Sequence, residues 1–548
     1  MSGNGTFGQK LYDGKTKTIY SMINQPGIVC ILHKDAYHCF DSLINESSGI
    51  RSRASSTTSV GSTKNSRKQS MIKSYCNIQG KGALITSITT CVFEILRDAM
   101  IPTYYVAPYS QPNIFIARKC TMIPILWIVR RLASETYIKR YPDIRCGHRF
   151  TPPLVEIYYK RHPIIYKKPV MLDLETYIEI DGTESIIDDD DDENDESCVI
   201  IWSYEQLLNA KFDIENMKIT QTEVECMYET VCAIFDILEH VWLIEKNCQL
   251  IDLKLEFGIT TTKEIVVANV IDIETWHIMK NDSSPNQNQH LTMPLNSTDS
   301  DEDELKTIKK NITWINDCLK EIIDLNKHSN TMKRKSIVQQ PTVDDDDEIQ
   351  RSHPEATFSQ QEQTYWNKDV TLISGATKSV QNCGRCVIVC SNSKDIEHGN
   401  KIKLNLNDSG IQCDLRLCSI YKSTQVILKL LAQYTYEHRR PTVFVTVGNI
   451  NNGLAMVLSA NSQYPIIHCF VMNDTPTTNN IFDINSFITE NISYSLVFSI
   501  QSAVKNVMQI LSIQDWRLWC KQRGKRLRSY IDLLVADQQL ISMSYKTT

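Results

Sequence analysis

"PTVFVTVGNINNGLAMVLSAN" runs from Pro441 to Asn461. Its first part is rich in β-branched and apolar residues, the pattern of a strand buried on both faces. It then turns into a Gly/Asn-rich loop. A turn of that kind brings backbone N–H groups against an anion such as phosphate. Yet Asn449 to Asn461 contain no Arg, Lys, His, Asp or Glu. The segment has the backbone of an anion site without the charge.

The flanking sequence repeats the strand pattern. "CVIVCS" (Cys386–Ser391), "DLRLCS" (Asp414–Ser419) and "YPIIHCF" (Tyr464–Phe470) read as further buried parallel strands. "STQVILKLLAQYTYEHRR" (Ser423–Arg440) reads as a helix between two of them. This alternation predicts a doubly wound α/β domain, whose ligands bind at the carboxyl ends of the strands. The loop after Gly448 lies at one such end.

Upstream, the pattern changes to α+β. "GIVCIL" and "EIVVANVI" read as strands, and "QTEVECMYETVCAIFDILEHVW" as a long amphipathic helix. Leu305, Ile308, Ile312, Ile315, Leu319 and Ile322 mark another, with apolar residues three and four apart. Between these blocks lie polar stretches: Ser/Thr-rich from Asn45 to Ser70, acidic from Asp188 to Glu196, and mixed on both sides of the second helix. They lack the apolar density that offsets chain entropy and are expected to be unstructured.

The 548 residues suit two to four domains, and 42% apolar with 22% charged residues is ordinary for a globular protein. A net charge of −6 argues against a general nucleic-acid binder. No apolar run reaches membrane-spanning length and no signal-peptide core opens the chain, so a cytoplasmic protein without membrane partners is expected. The 18 cysteines show no disulfide framework and are expected to be reduced thiols. The single CxxC, Cys383 and Cys386, has no second pair and reads as chance spacing rather than a zinc site.

Two motifs carry chemistry. "KLYDGKTKTIY" (Lys10–Tyr20) turns at Gly14, with Lys15 and Lys17 on either side of Thr16. Two ammonium groups beside free amides suit nucleotide phosphates; an exposed lysine hairpin has the same pattern. "LIDLKLEFG" (Leu250–Gly258) places Asp252, Lys254 and Glu256 on one strand face. Two carboxylates and a lysine suit a Mg–nucleotide site, or a solvated face laced with salt bridges.

Together with "GKGALITSITTCVFEIL", "TMIPILWIVRR", "QTEVECM" and "PTVFVTVGNINNGL", taken in the same order, these stretches resemble the bifunctional animal enzymes of de novo purine synthesis. That family joins SAICAR synthetase, a ligase, to AIR carboxylase, a carboxy-lyase. The resemblance covers nearly the whole chain. It implies an α+β ATP-binding synthetase-like domain over 1–327, with disordered insertions near 45–78, 161–198 and 281–303. A linker over 328–384 and a flavodoxin-like carboxylase domain over 385–548 follow. It implies coupling of L-aspartate to a carboxylated aminoimidazole ribonucleotide with ATP and Mg²⁺, carboxylation without ATP or biotin, and an oligomer.

Carried over residue by residue, the resemblance makes Gly14, Lys15, Lys17, Asp252, Lys254 and Glu256 the ATP-binding positions, with Glu256 toward the metal. Arg130, Lys139 and Arg140 become substrate-side positions in the first half. Asp395, Ser419, Lys422, Asn452 and Gly453 become those in the second. The departures are specific. Glu135 stands where the family has a glycine, Asn269 where it has an aspartate, and His277 where it has an arginine. "DDEND" (Asp191–Asp195) corresponds to an acidic substrate loop. Tyr421 replaces the histidine expected to shuttle protons, and a phenol, ordinarily titrating near about 10, is poorly matched to that task. Ile450 replaces the arginine for the ligand's anionic groups; Asn449, Ala455, Ala460 and Asn491 replace glycines. The opening turn therefore looks like an anion site because it descends from one. The expectation is a synthetase site weakened toward Mg–ATP and a carboxylase site lost. The alternative is a catalytically inactive paralogue that serves as an oligomeric scaffold or regulatory partner, alone or co-assembled with an intact copy.

Overall fold

The structure is a computed structural model that describes residues 7–39, 74–160, 199–281, 301–335, 384–421, 424–435, 440–449, 453–470 and 494–544. The chain divides into two compact units, Met1–Lys320 with Leu527–Thr548, and Glu321–Arg526.

The first unit opens with β1 (Phe7–Asp13), β2 (Lys17–Met22) and β3 (Ile28–His33), which pair antiparallel in succession. β4 (Ala36–Cys39) and β5 (Ser74–Asn77) form a separate two-stranded ribbon. β5 lies inside the stretch 45–78 expected to be unstructured, because strand pairing satisfies its backbone where local apolar density does not. Cys76, on β5, departs from the expectation of reduced thiols in being disulfide-bonded, whereas Cys30, Cys386 and Cys390 are free thiols. Helix α1 (Lys81–Asp98) follows, then β6 (Tyr105–Pro108) and β7 (Ile114–Arg118), completing a sheet of order β1-β2-β3-β7-β6. An aromatic cluster of Phe93, Tyr104, Tyr105 and Phe115 ties α1 to this sheet.

A second sheet carries the longest strands. β8 (Cys120–Leu132), α2 (Glu135–Arg140), β9 (Arg149–Lys160) and β10 (Val199–Trp202) come first in the chain. Then follow α3 (Tyr204–Asn209), the short pair β11 (Asp213–Ile214) and β12 (Met217–Lys218), and α4 (Gln221–Lys246). β13 (Cys248–Thr260), β14 (Ile265–Ala268) and β15 (Trp276–Lys280) complete the order β10-β9-β8-β13-β14, with β15 also pairing β13. α4 begins at a capping box in which the Thr220 N–H donates to Glu223 Oε2 at 2.8 Å, and stops at Asn247 in the left-handed region. Val224, Met227, Val231, Ile234, Leu238 and Val241 form its buried stripe, the three-and-four spacing of a helix on a sheet. α5 (Asp301–Lys335) contains the second apolar-periodic helix read from the sequence.

The second unit is built on β16 (Arg385–Cys390), β17 (Gln412–Leu417), β18 (Thr442–Gly448), β19 (Ile466–Phe470) and β20 (Ser495–Val497), reached in chain order through α6 (Ile396–Asp408), α7 (Thr424–Thr435) and α8 (Leu454–Ala460). All neighbours are parallel, in the order β17-β16-β18-β19-β20. Alternation along β16 shows both faces covered. Cys386, Ile388 and Cys390 pack with Ile402 and Leu406 of α6 and with Ala503, Val507 and Leu511 of α9 (Ile500–Ser512). Val387 and Val389 pack with Ile427, Leu430 and Leu431 of α7 and with Leu454 and Leu458 of α8. This is the doubly wound fold expected from the sequence. Gly399 lets α6 approach: a Cβ there would sit 2.7 Å from Cys390 Sγ and 2.8 Å from Leu415 Cδ1. α10 (Trp516–Ser544) ends the described chain. Among the described residues no helix is long and apolar enough to cross a membrane.

Candidate functional site

In the first unit, period-two geometry puts Asp252, Lys254 and Glu256 of β13 on one face, as the sequence predicts. Register brings β8 and β9 to that face. Asp252 lies opposite Arg130, Lys254 opposite Ile128, and Ile128 opposite Glu156. Lys160 sits four residues beyond Glu156 on the same side.

Two connected networks result. In the first, Arg130 is buried and donates from Nε to Glu156 Oε2 (2.6 Å), and from Nη1 to Asp252 Oδ2 (2.9 Å) and Ser134 Oγ (3.0 Å). Ser134 precedes α2, and its hydroxyl serves Arg130 instead of capping that helix. Arg140 reaches the same Glu156 at 3.0 Å. His277 Nδ1 lies 2.6 Å from Asp252 Oδ1; an ionised carboxylate can only accept, so Nδ1 donates. Burial opposes ionisation of Asp252, but His277 and Arg130 outweigh it and hold the carboxyl down to about 2. Both Asp252 oxygens are thus committed inside the protein.

The second network joins the two sheets. Lys17 Nζ, from β2, donates to Asn269 Oδ1 at 2.7 Å, and Asn269 Nδ2 donates to Glu256 Oε1 at 2.6 Å. Lys160 Nζ lies 3.0 Å from Glu256 Oε2. Asn269 holds φ at +65°, a conformation that Asn tolerates better than most residues. Among the described residues no group of three or more His, Cys, Asp or Glu side chains is arranged to hold a metal.

The lysine turn stands over this region through Lys17. The Gly14 N–H donates to Lys17 O at 2.9 Å, and Asp13 accepts from Lys10, Lys34 and Thr18, which hold its carboxyl below the usual range. Lys34 also donates to Gly14 O, and Lys15 is exposed. Nearby, the Asp35 carboxylate accepts from Gly80 N–H (2.9 Å) and Gly82 N–H (2.8 Å), so the start of α1 is already capped from within. Lys81 is buried and ion-pairs with Glu274 at 2.5 Å. Burial, then Lys17 and Lys81, push His33 down to about 3, so it stays neutral. Burial, then Glu274, push Asp272 up to about 7.

Of the residues read from the sequence, the structure joins Lys17, Arg130, Arg140, Asp252 and Glu256 through these networks and places Lys254 on the same face. The side chains of Glu135 and Lys139 lie outside the described residues, as do Asp191–Asp195. Sequence reasoning missed Glu156 and Lys160. Their signal is the polar alternation Glu156, Tyr158, Lys160 in "VEIYYK".

In the second unit, Cys390, Leu417 and Val447 end level on adjacent strands. β16 and β18 flank the point where strand order reverses, so the loops after them mark the expected ligand crevice. Asp395 is buried there and accepts from Ser391 Oγ at 2.7 Å. Ser419 follows β17. Ile420 Cδ1 comes within 3.5 Å of where a Gly453 Cβ would sit, bringing that loop to the start of α8. Gly453 has φ +66°. The Tyr421 side chain is 80% exposed. Lys422, Ile450, Asn452 and Asn491 lie outside the described residues. His468, absent from the sequence reading, is buried beside Thr446 Oγ1 at 2.8 Å, and burial pushes it down to about 4.

Comparison with known proteins matches these two units to two families. The SAICAR synthetase family model matches residues 72–168 and 190–293, and the AIR carboxylase model matches residues 385–529. The bifunctional phosphoribosylaminoimidazole carboxylase/phosphoribosylaminoimidazole succinocarboxamide synthetase of Rattus norvegicus is 29% identical, over 97% of this chain and 97% of its own. The Homo sapiens protein of the same description is 28% identical with the same coverage. A solved phosphoribosylaminoimidazole-succinocarboxamide synthase from Ehrlichia chaffeensis aligns at 20% identity and TM-score 0.38, covering 57% of this chain and 98% of that one. The chain belongs to the bifunctional family of purine biosynthesis that joins a SAICAR synthetase domain to an AIR carboxylase domain.

Proposed function

We propose that the first unit is a nucleotide-binding site of the SAICAR synthetase type with impaired ligase chemistry, and that the second keeps the AIR carboxylase fold without carboxylase turnover. The observation that carries the first part is the charge on one sheet face. Lys17, Arg130, Arg140, Lys160 and Lys254 converge there against three carboxylates, Asp252, Glu156 and Glu256. The excess of cationic groups suits a polyanion. Lys15, Lys17 and the Gly14 turn would take phosphates of ATP, and Arg140 the anionic ribonucleotide. When bound, ATP supplies the phosphoryl group that activates the substrate carboxylate toward L-aspartate.

A divalent cation fits this site poorly. Glu256, its expected ligand, already has one oxygen bonded to Asn269 and the other ion-paired with Lys160. No step is therefore assigned to Mg²⁺.

The second part is supported by Tyr421, whose exposed phenol stands where the resemblance puts the proton shuttle, and by Asp395, whose carboxylate is bonded to Ser391. Such a unit serves best as an assembly scaffold. We therefore read the protein as a cytoplasmic homo-oligomer or as a partner of an intact family member, with domains bounded near 327 and 385. Assaying the two half-reactions separately on the purified chain tests the reading. Calorimetry should show ATP binding weakened by Lys17→Ala, and sedimentation should show more than monomer. Carboxylation at the rate of an ordinary family member would overturn the second part.

A further inference from the structure

The chain Lys17–Asn269–Glu256–Lys160 has a consequence for how nucleotide is held. Asn269 is the only amide in it, and its orientation is fixed at both ends. Its oxygen accepts from Lys17, and its nitrogen donates to Glu256. An aspartate could not do both, since it would face Glu256 at 2.6 Å as a second acceptor. Two carboxylates that close need a cation between them or a shared proton. The amide removes that need, and Lys160 neutralises the other Glu256 oxygen at 3.0 Å. Glu256 and Lys160 are each less than 15% exposed, so this pairing is shielded from solvent.

We propose that this chain of side chains takes the place of a divalent cation, so that the first unit binds a nucleoside triphosphate as the metal-free polyanion. The proposal rests on the nucleotide reading above and deepens it. Lys17 presents a bridging cation that a metal would otherwise supply. Mg²⁺ added to ATP lowers the ligand's charge and gains no protein ligand in return.

The test is calorimetric titration of the full chain with ATP, once in EDTA and once in excess Mg²⁺. The unmodified protein should bind ATP at least as tightly in EDTA as in excess Mg²⁺. Asn269→Asp, which keeps a residue that tolerates positive φ, should bind at least about tenfold more tightly with Mg²⁺, a difference of about 1.4 kcal/mol. Tenfold tightening by Mg²⁺ in the unmodified protein would overturn the proposal. If ATP binds under neither condition, the nucleotide reading fails, and the cation claim is read from hydrogen exchange of peptides covering Cys248–Thr260. Mg²⁺ alone should leave exchange unchanged in the unmodified protein and slow it in Asn269→Asp. Slowing in the unmodified protein refutes the claim. Should Asn269→Asp not fold, Lys160→Met opens one Glu256 oxygen and should acquire the same Mg²⁺ protection; no protection there also counts against it.

Discussion

Replacing Arg130 by Met isolates what the buried network contributes. Met matches the length of the stem but removes every N–H. The substitution leaves Asp252 with His277 and the charge of Lys254, and Glu156 with Arg140 and the Tyr158 hydroxyl, both carboxylates being nearly inaccessible to water. Removing one partner of a buried pair typically costs about 3–5 kcal/mol, because the remaining charge stays desolvated. Since His277 and Arg140 still compensate, we expect the lower end, about 3 kcal/mol. The pH dependence carries a signature. In the native protein Asp252 titrates at about 2 against an ordinary 3.8. A depressed carboxyl contributes stability that is present above 3.8 and lost as pH falls through about 2. At 1.36 kcal/mol per unit this is about 2 kcal/mol. In Arg130→Met burial has less opposition, the carboxyl rises, and that contribution shrinks. The variant should therefore lose more stability at pH 7 than at pH 4, where protonation relieves the orphaned charge. Urea unfolding followed by hydrogen exchange in peptides from β8 and β13 separates this unit from the other. Arg130→Lys, a point charge that cannot span both carboxylates, should fall between. A loss below about 1 kcal/mol, or one independent of pH, would refute the network argument.

Asp272 gives the opposite sign. Burial raises it to about 7, so the folded state holds a proton that the unfolded state has released, and stability falls as pH rises from about 4 to about 7. Asp272→Asn should accordingly stabilise the protein at pH 8 and have little effect at pH 4, as thermal melts at both values will show. Gly82→Ala should destabilise by about 1–3 kcal/mol, since the new Cβ would meet the backbone oxygen of His33 at 2.5 Å, which a rotamer change cannot relieve. A melting temperature unchanged by that substitution would mean that the β3–α1 contact gives way easily. Tyr421→His alone should not produce carboxylation, because Ile450 still leaves the ligand's anionic groups without a charged partner; detectable turnover would show that the loop correspondence is misread.

Much of the fold was written locally. Unbroken apolar runs such as "CVIVC" and "TVFVTV" can satisfy their burial only between two helical layers, and the three-and-four spacing in Gln221–Lys246 admits one buried stripe. Asp252, Lys254 and Glu256 were likewise certain to share a face, because a strand alternates its side chains whatever surrounds it. What those three residues meet was not written there. Asp252 meets Arg130 across 122 positions and Lys17 meets Asn269 across 252, through pairings that exist only once β8, β13 and β2 are in register. Lys160 could become the partner of Glu256 only when β9 aligned beside β8. Periodicity assigns a side chain to a face; the charge opposite it is chosen by long-range strand register, which only the assembled sheets fix. Whether Glu256 would await a cation or already be satisfied was therefore decided by the tertiary structure.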